Sequence, residues 1–380
     1  MVEALPVIKE NKLLLISSCM DITKVISYDE GITKWFLWVE DFAYNVSSEI
    51  CNGIYYVDDS TLFFNKWFGE YPWIFCRLID NLDEYVDFLH GIIGKQLEGK
   101  NLVLSFSGGK DSTAILLILL KLMEKINFRL RAIYVHMPYL EPEYNIRFIE
   151  RLAKRLSVDI TITSPPKSII RKYLFEEGLP YRRERWCTYL KVKPIKDYIR
   201  KSNVDVHAIG DRVWEASKRH EKLSAKLLKG KFIEGRKFYP IAPLTLIDVI
   251  TIAKENKIIH PDYLMGATRV SCYYCPYKSI FELKLLRPQI EDPGLIDEVL
   301  KREWKRWYKK ICFENFKKYH LWRYVPTIAK LLHKAKDRLK NEDSKEKMTL
   351  GEIKKYNTYI WLNNIEVPKL RYENILNIIK

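Results

Sequence analysis

The chain of 380 residues has no long apolar run. Its longest such stretch in a helical context, Ala114 to Leu120, falls far short of the roughly 20 residues a bilayer span requires, so no transmembrane helix and no membrane partner are expected. A secretory signal is not expected either. Glu3, Pro6, Lys9 and Glu10 stand where an uninterrupted apolar stretch would be needed, and no small-residue cleavage site follows. Export is not expected, and a cytoplasmic location is. The 7 cysteines are an odd number with regular spacing at only one pair, which argues against a disulfide scaffold and for a reducing compartment. Acidic residues are in short supply. Against 64 Lys and Arg there are 48 Asp and Glu, and the resulting net charge of +16 points to a polyanionic partner such as a nucleic acid.

The length predicts two or three folding units, each with its own core. Residues 1–80 read as short strands and turns rich in Ile, Val, Trp, Phe and Tyr, a small β-rich domain. From Leu82 the apolar positions Tyr85, Val86, Leu89 and Ile93 recur at helical spacing and lead into a second unit, residues 81–280. There, strand patterns at 102–106, 130–135, 158–163 and 204–210 alternate with helices, which predicts an α/β fold with a doubly wound parallel sheet. Residues 281–380 read as a basic helical region. Between Lys301 and Lys340 there are fourteen Lys or Arg and three acids, interleaved with Trp304, Trp307, Tyr308, Phe313, Phe316, Tyr319, Trp322 and Tyr324. Such a stretch either packs its aromatics into a core or stacks them on unpaired bases, and the charge imbalance favours the bases. The run 341–347 reads as an exposed loop between helices.

The densest chemical signal is Ser107-Gly108-Gly109-Lys110-Asp111-Ser112, between a buried strand and a helix. Glycines let the main chain approach a ligand, and the helix N-terminus offers unpaired amides and a positive dipole to an anion. Lys110 adds a charge, Ser107 and Ser112 add hydroxyls, and Asp111 is a candidate for Mg2+. Ser105 at the strand end, His136 at the end of the second strand, and Gly210, Arg212 and Arg219 after the strand at 204–210 complete the candidate nucleotide site. Lys110, Asp111 and Arg212 are the candidate catalytic groups.

This motif resembles the PP-loop of the adenine nucleotide alpha hydrolase superfamily, whose members grip the β and γ phosphates of ATP as pyrophosphate and transfer AMP. Later stretches resemble its sulfonucleotide reductase branch, which includes PAPS reductase and related sulfur-modifying proteins. They are Trp186-Cys187-Thr188 with Lys191, Gly210-Asp211-Arg212 with Glu215 and Arg219, His260-Pro261-Asp262-Tyr263, and Arg269 with Ser271-Cys272-Tyr273-Tyr274-Cys275-Pro276. The resemblance implies a PP-loop fold with ATP as cofactor. True reductases usually lack the loop lysine that is present here, and the Glu-Cys-Gly-Leu-His segment they share is missing from this sequence.

The resemblance also brings Cys187 near Cys272 and Cys275. Three thiolates would then hold a 4Fe-4S cluster with one iron open, or zinc with a histidine such as His207 or His220; the remaining alternative is ordinary buried or redox cysteines. The leading expectation is an ATP-dependent, AMP- and pyrophosphate-forming sulfurtransferase that thiolates a nucleic acid, with tRNA as the acceptor that the resemblance to cluster-dependent tRNA thiolation enzymes implies. Its sulfur donor is unidentified, and a homodimer is admitted. The alternatives are a sulfonucleotide reductase and a non-catalytic nucleotide- and RNA-binding protein with structural zinc.

Overall fold

The computed structural model describes residues 4–51, 54–57, 60–63, 76–182, 184–286 and 290–379. Strands β1 (Leu5–Lys9), β2 (Lys12–Cys19), β3 (Ile22–Ser27), β4 (Ile32–Val39) and β5 (Phe42–Asn45) form an antiparallel meander. Lys9 pairs with Lys12 across a two-residue turn in which Glu10 and Asn11 both have positive φ, the geometry that matches strand twist. Strands β6 (Ile50–Cys51), β7 (Ile54–Val57) and β8 (Ser60–Phe63) form a second small sheet.

Helix α1 (Leu82–Leu97) follows, capped by the Asn81 side chain on the Glu84 amide and buried along Tyr85, Val86, Leu89 and Ile93. The α/β unit then runs β9 (Asn101–Ser105), α2 (Lys110–Met123), β10 (Arg129–Val135), α3 (Tyr144–Leu156) and β11 (Ile160–Thr163). It continues with α4 (Lys167–Glu176), α5 (Trp186–Lys201), β12 (Val206–Ala208), α6 (Ser217–Leu227), β13 (Ile233–Glu234), β14 (Lys237–Phe238) and α7 (Leu246–Glu255). The strand order is β11-β10-β9-β12-β14-β13, parallel except for β13. After β9 the chain moves to β10 on one side and later returns to β12 on the other. The order therefore reverses beside β9, and a crevice opens beyond the carboxyl ends of β9 and β12. Helix α2 is held there by Ala114, Ile115, Ile118, Leu119 and Leu122, none of them exposed.

The remaining elements are α8 (Pro261–Leu264), α9 (Ile280–Leu286), α10 (Pro293–Trp307), α11 (Phe313–Lys318), α12 (Pro326–Lys340), β15 (Lys347–Thr349), α13 (Leu350–Leu362) and α14 (Tyr372–Ile379). No helix among the described residues is long and apolar enough to cross a membrane. Two readings of this region need correction. The run 341–347 is not wholly a loop, because Lys347 begins β15, which pairs antiparallel with β5 and satisfies the open edge of the N-terminal sheet. Nor are the interleaved aromatics free to stack on bases. Tyr308, Phe316, Tyr319, Trp322 and Tyr324 are buried, Trp304 and Phe313 pack against the same core, and only Trp307 of the set is exposed. Burial of these rings outweighs what their charged neighbours suggest, since each contributes on the order of 2 kcal/mol by leaving water.

The N-terminal sheet, the α/β unit and the C-terminal helices meet at Asp21, in the turn between β2 and β3. Its carboxylate is 1% exposed and accepts from Arg323 Nη2 at 2.6 Å, from Tyr324 Oη and from Lys336 Nζ. Arg323 Nη1 also donates to the Lys278 carbonyl at 2.7 Å, and the Ile280 amide to the Met20 carbonyl at 2.7 Å. Burial alone would raise the Asp21 carboxyl pKa, but Arg323 and Lys336 outweigh it and hold the carboxyl below its usual range. Asp21→Asn leaves two buried cations without a counter-charge and is expected to cost about 3–5 kcal/mol in urea unfolding at pH 7. Adding Lys336→Met should restore part of that loss, and a double-mutant cycle measures the coupling.

Candidate active site at the carboxyl end of the sheet

The turn from β9 into α2 is built from its own side chains. Gly108 has φ +74°, and a Cβ there would lie 3.2 Å from Ile149 Cδ1, so the position excludes a side chain on two counts. Ser112 Oγ receives the Ser107 amide at 3.2 Å and donates to the Gly109 carbonyl at 3.0 Å, while the Ser107 and Ser112 hydroxyls lie 3.0 Å apart. The Gly109 amide reaches Ser107 Oγ at 3.4 Å. The Lys110 amide donates to Tyr263 Oη at 2.9 Å.

Opposite the turn, the segment after β12 delivers Arg212. Its side chain is fully buried, and its Nε donates to Asp111 Oδ1 at 2.6 Å. The other oxygen, Oδ2, takes Lys110 Nζ at 3.0 Å. Burial opposes the Asp111 carboxylate, yet Arg212 and then Lys110 overcome that penalty and hold its carboxyl far below the ordinary value. Both oxygens of the residue expected to hold Mg2+ thus face cations. Arg219 Nε bonds Asp211 Oδ1 at 3.2 Å, its Nη1 pairs with Glu215, and Lys222 also reaches Asp211 at 2.7 Å. Ser105 Oγ lies 2.8 Å from His207 Nε2, on the neighbouring strand, and Gly210 packs against Ile115.

A cavity of about 140 Å³ lies over the loop, lined by Ser107, Gly109, Lys110, Asp111, Tyr263 and Arg269 among others, with Leu5 of β1 in its wall. That volume suits phosphate groups and is smaller than a site for a whole nucleotide, for which roughly 300 Å³ is the lower bound.

Three cysteines lie within electrostatic reach of one another, and one of them, Cys275, adjoins the cavity-lining Arg269. Cys187 enters at the start of α5, while Cys272 and Cys275 lie in the loop before α9. Burial raises the Cys187 thiol pKa and Cys275 raises it further; burial pushes Cys272 up to about 12, against the pull of Lys191. Cys272 Sγ is 3.7 Å from Glu141 Oε2. Glu141, 3% exposed, also accepts from Tyr134 Oη, from Asn145 Nδ2 at 3.0 Å and from Lys191 Nζ at 3.1 Å. Its burial is overcome by Lys191 and His136, which lower its carboxyl pKa to about 2. His136 is buried next to this group, with Nδ1 lacking a partner, and burial lowers its pKa. It does not line the cavity.

Zinc finds no fourth ligand in either candidate histidine. The ring of His207 is held at Ser105, and that of His220 lies against Trp214. Among the described residues no group of three or more His, Cys, Asp or Glu is set to hold one metal ion. An iron–sulfur cluster spreads its ligands over separate irons, and the donor set suits it in kind: three thiols in electrostatic reach of one another, with Lys191 beside Cys272 and Arg269 beside Cys275 to offset their charge. Glu141 and Tyr263 escaped the sequence reading of the site. Glu141 belongs to no motif, and Tyr263 was visible only as part of the His-Pro-Asp-Tyr run.

A glycine turn between a parallel strand and a helix, carrying Ser, Lys and Asp at the switch point of a doubly wound sheet, defines a PP-loop domain. Residues 101–278 match the phosphoadenosine phosphosulfate reductase domain, and this segment belongs to the PP-loop adenine nucleotide alpha hydrolase superfamily. A relative from Methanocaldococcus jannaschii, described as an uncharacterized protein, is 25% identical over 267 residues, which are 64% of this chain and 52% of that protein. The chain thus matches about half the length of that curated relative. Among solved structures, the U34-tRNA thiolase NcsA from Methanococcus maripaludis with its 4Fe-4S cluster is 14% identical, with 76% of this chain and 90% of that one covered and a TM-score of 0.37. The NH3-dependent NAD synthetase from Campylobacter jejuni is 17% identical, with coverage of 61% and 95% and a TM-score of 0.31. Likeness at this level leaves function to the chemistry of the site.

Because the folded Asp111 carboxyl titrates below the unfolded value of about 3.9, its contribution to stability is fully present above that pH and is lost as pH falls from there through the lower folded pKa. Asp111→Asn is expected to lower stability by about 2–3 kcal/mol at pH 7. It should also flatten the loss below about pH 4, read by thermal unfolding across a pH series.

Proposed function

We propose that this chain is an ATP-dependent, AMP- and pyrophosphate-forming sulfurtransferase whose acceptor is a nucleic acid, the kind of polyanion its net charge of +16 favours, with tRNA the class that the resemblance to cluster-dependent tRNA thiolation enzymes suggests. One observation carries the reading. Arg269 lines the cavity over the loop, and its Nη2 lies 3.6 Å from Cys275 Sγ, so the phosphate site and the cysteine site share a wall. An enzyme that activates an oxygen in one place and replaces it in another needs such contiguity, since the adenylated acceptor would otherwise hydrolyse before sulfur reached it.

In this reading the acceptor oxygen attacks the α phosphorus of ATP, the bond from that phosphorus to the bridging oxygen breaks, and pyrophosphate departs. Lys110, the loop amides and the start of α2 hold the charge that collects on the leaving group. Lys110 exchanges Asp111 for a phosphate oxygen, while Arg212 keeps Asp111 paired. Sulfide then attacks the acceptor carbon that bears the adenylated oxygen, that carbon–oxygen bond breaks, and AMP leaves with the original oxygen. Cys187, Cys272 and Cys275 would hold a 4Fe-4S cluster, which when bound supplies a place for sulfide next to the acceptor. Glu141 and Lys191 keep the thiols in a fixed, charged setting.

Full-length protein prepared without oxygen, given ATP, sulfide and tRNA, is expected to form AMP and pyrophosphate only when tRNA is present. Lys110→Ala should slow that reaction by about 100-fold or more. Cys187→Ser should leave AMP formation in place and abolish thionucleoside in the digested tRNA. Reduction of a sulfonucleotide to sulfite without ATP turnover would instead identify a reductase.

A further inference from the structure

Tyr263, which opens no obvious role as one residue of α8, is placed with unusual constraint. Its ring stacks on Trp361 of α13 at 4.3 Å between centroids and 22° between planes, and its side chain is 2% exposed. The hydroxyl oxygen receives the Lys110 amide at 2.9 Å. Lys110 is the first residue of α2, so this amide belongs to the set that an unmodified helix N-terminus would offer directly to an anion. Tyr263 has intercepted it. With its oxygen engaged by the Lys110 amide, the hydroxyl keeps its own hydrogen to give, and among the described residues that hydrogen has no acceptor. The cavity it borders is the one over the loop, where Ser107, Gly109 and Lys110 form the other wall.

We infer that Tyr263 is a phosphate-binding residue: its hydroxyl relays the Lys110 amide and donates to an oxygen of the β or γ phosphate, so that the loop grips pyrophosphate partly through a phenol from another segment. The inference rests on the PP-loop reading given above and adds a residue to it. Burial raises the Tyr263 pKa, which keeps the hydroxyl protonated and able to donate at neutral pH. A hydrogen bond polarised by an amide behind it is stronger than an isolated one, and one made to a charged oxygen is stronger again. Trp361 fixes the ring, so α13 in the C-terminal region sets the geometry of the nucleotide site without touching the ligand.

The test is Tyr263→Phe in the full chain, with inorganic pyrophosphate and AMP as separate probes by calorimetry. Phenylalanine preserves the ring and its stack on Trp361 and removes only the hydroxyl. Pyrophosphate affinity is expected to fall about 10-fold or more, the loss of one hydrogen bond to a charged group, with AMP affinity unchanged. Unchanged or tighter pyrophosphate binding would mean that the hydroxyl is a plug which the ligand displaces, and the inference fails. Equal loss for both probes would mark a general disturbance and overturn it too. Should wild-type protein bind neither probe, with Lys110→Ala indistinguishable from it, the PP-loop reading itself fails and this inference with it.

Discussion

The cysteine loop keeps its place because a carboxylate on another sheet is buried. Asp21 draws Arg323, Tyr324 and Lys336 inward, and Arg323 in turn grips the Lys278 carbonyl, three residues beyond Cys275. The Ile280 amide binds Met20, next to Asp21. Removing a carboxylate and two cations from water is costly, and the hydrogen bonds largely offset that cost without exceeding it by much. The consequence is positional. A buried ion group with directional partners tolerates one arrangement of three chain segments, whereas an apolar contact of the same size would tolerate several.

The same logic recurs at the nucleotide loop. Asp111 is balanced between Arg212, which is fully buried, and Lys110. Arg212 comes from the segment after β12, the strand on the far side of the switch point, so the ion pair ties the two sides of the crevice together. In the proposed reaction Lys110 exchanges one anionic partner for another when phosphate arrives, and the net change in charge pairing is small. Preorganisation of this kind keeps reorganisation out of the barrier. Arg269 and Tyr263, from the segment between α7 and α9, complete the pocket from above and connect it to the thiols.

The elements that position the loop were legible because their periodicity is strong. The patterns at 102–106 and 130–135 appear as β9 and β10, and the helical run from Leu82 appears as α1. Lys110 and Asp111 were legible as a motif, since strand, glycines and helix must be consecutive to form that turn. The basic aromatic stretch misled because composition does not say which way a ring points: Tyr319 and Trp322 are core residues. Strand β15 could not be read from Lys347, Met348 and Thr349, because a three-residue strand exists only when an open edge such as β5 is there to pair with it.

By itself the sequence determined the parallel sheet, its glycine turn and the excess of positive charge, because each depends on residues adjacent or periodic along the chain. Only the tertiary structure decided that Asp111 faces Arg212, that Glu141 and Lys191 adjoin Cys272, and that Tyr263 meets the first amide of α2. These contacts join residues 50 to 153 positions apart, and no local preference encodes them. They arise from packing, which places a side chain by the shape of everything around it and not by its neighbours in the chain.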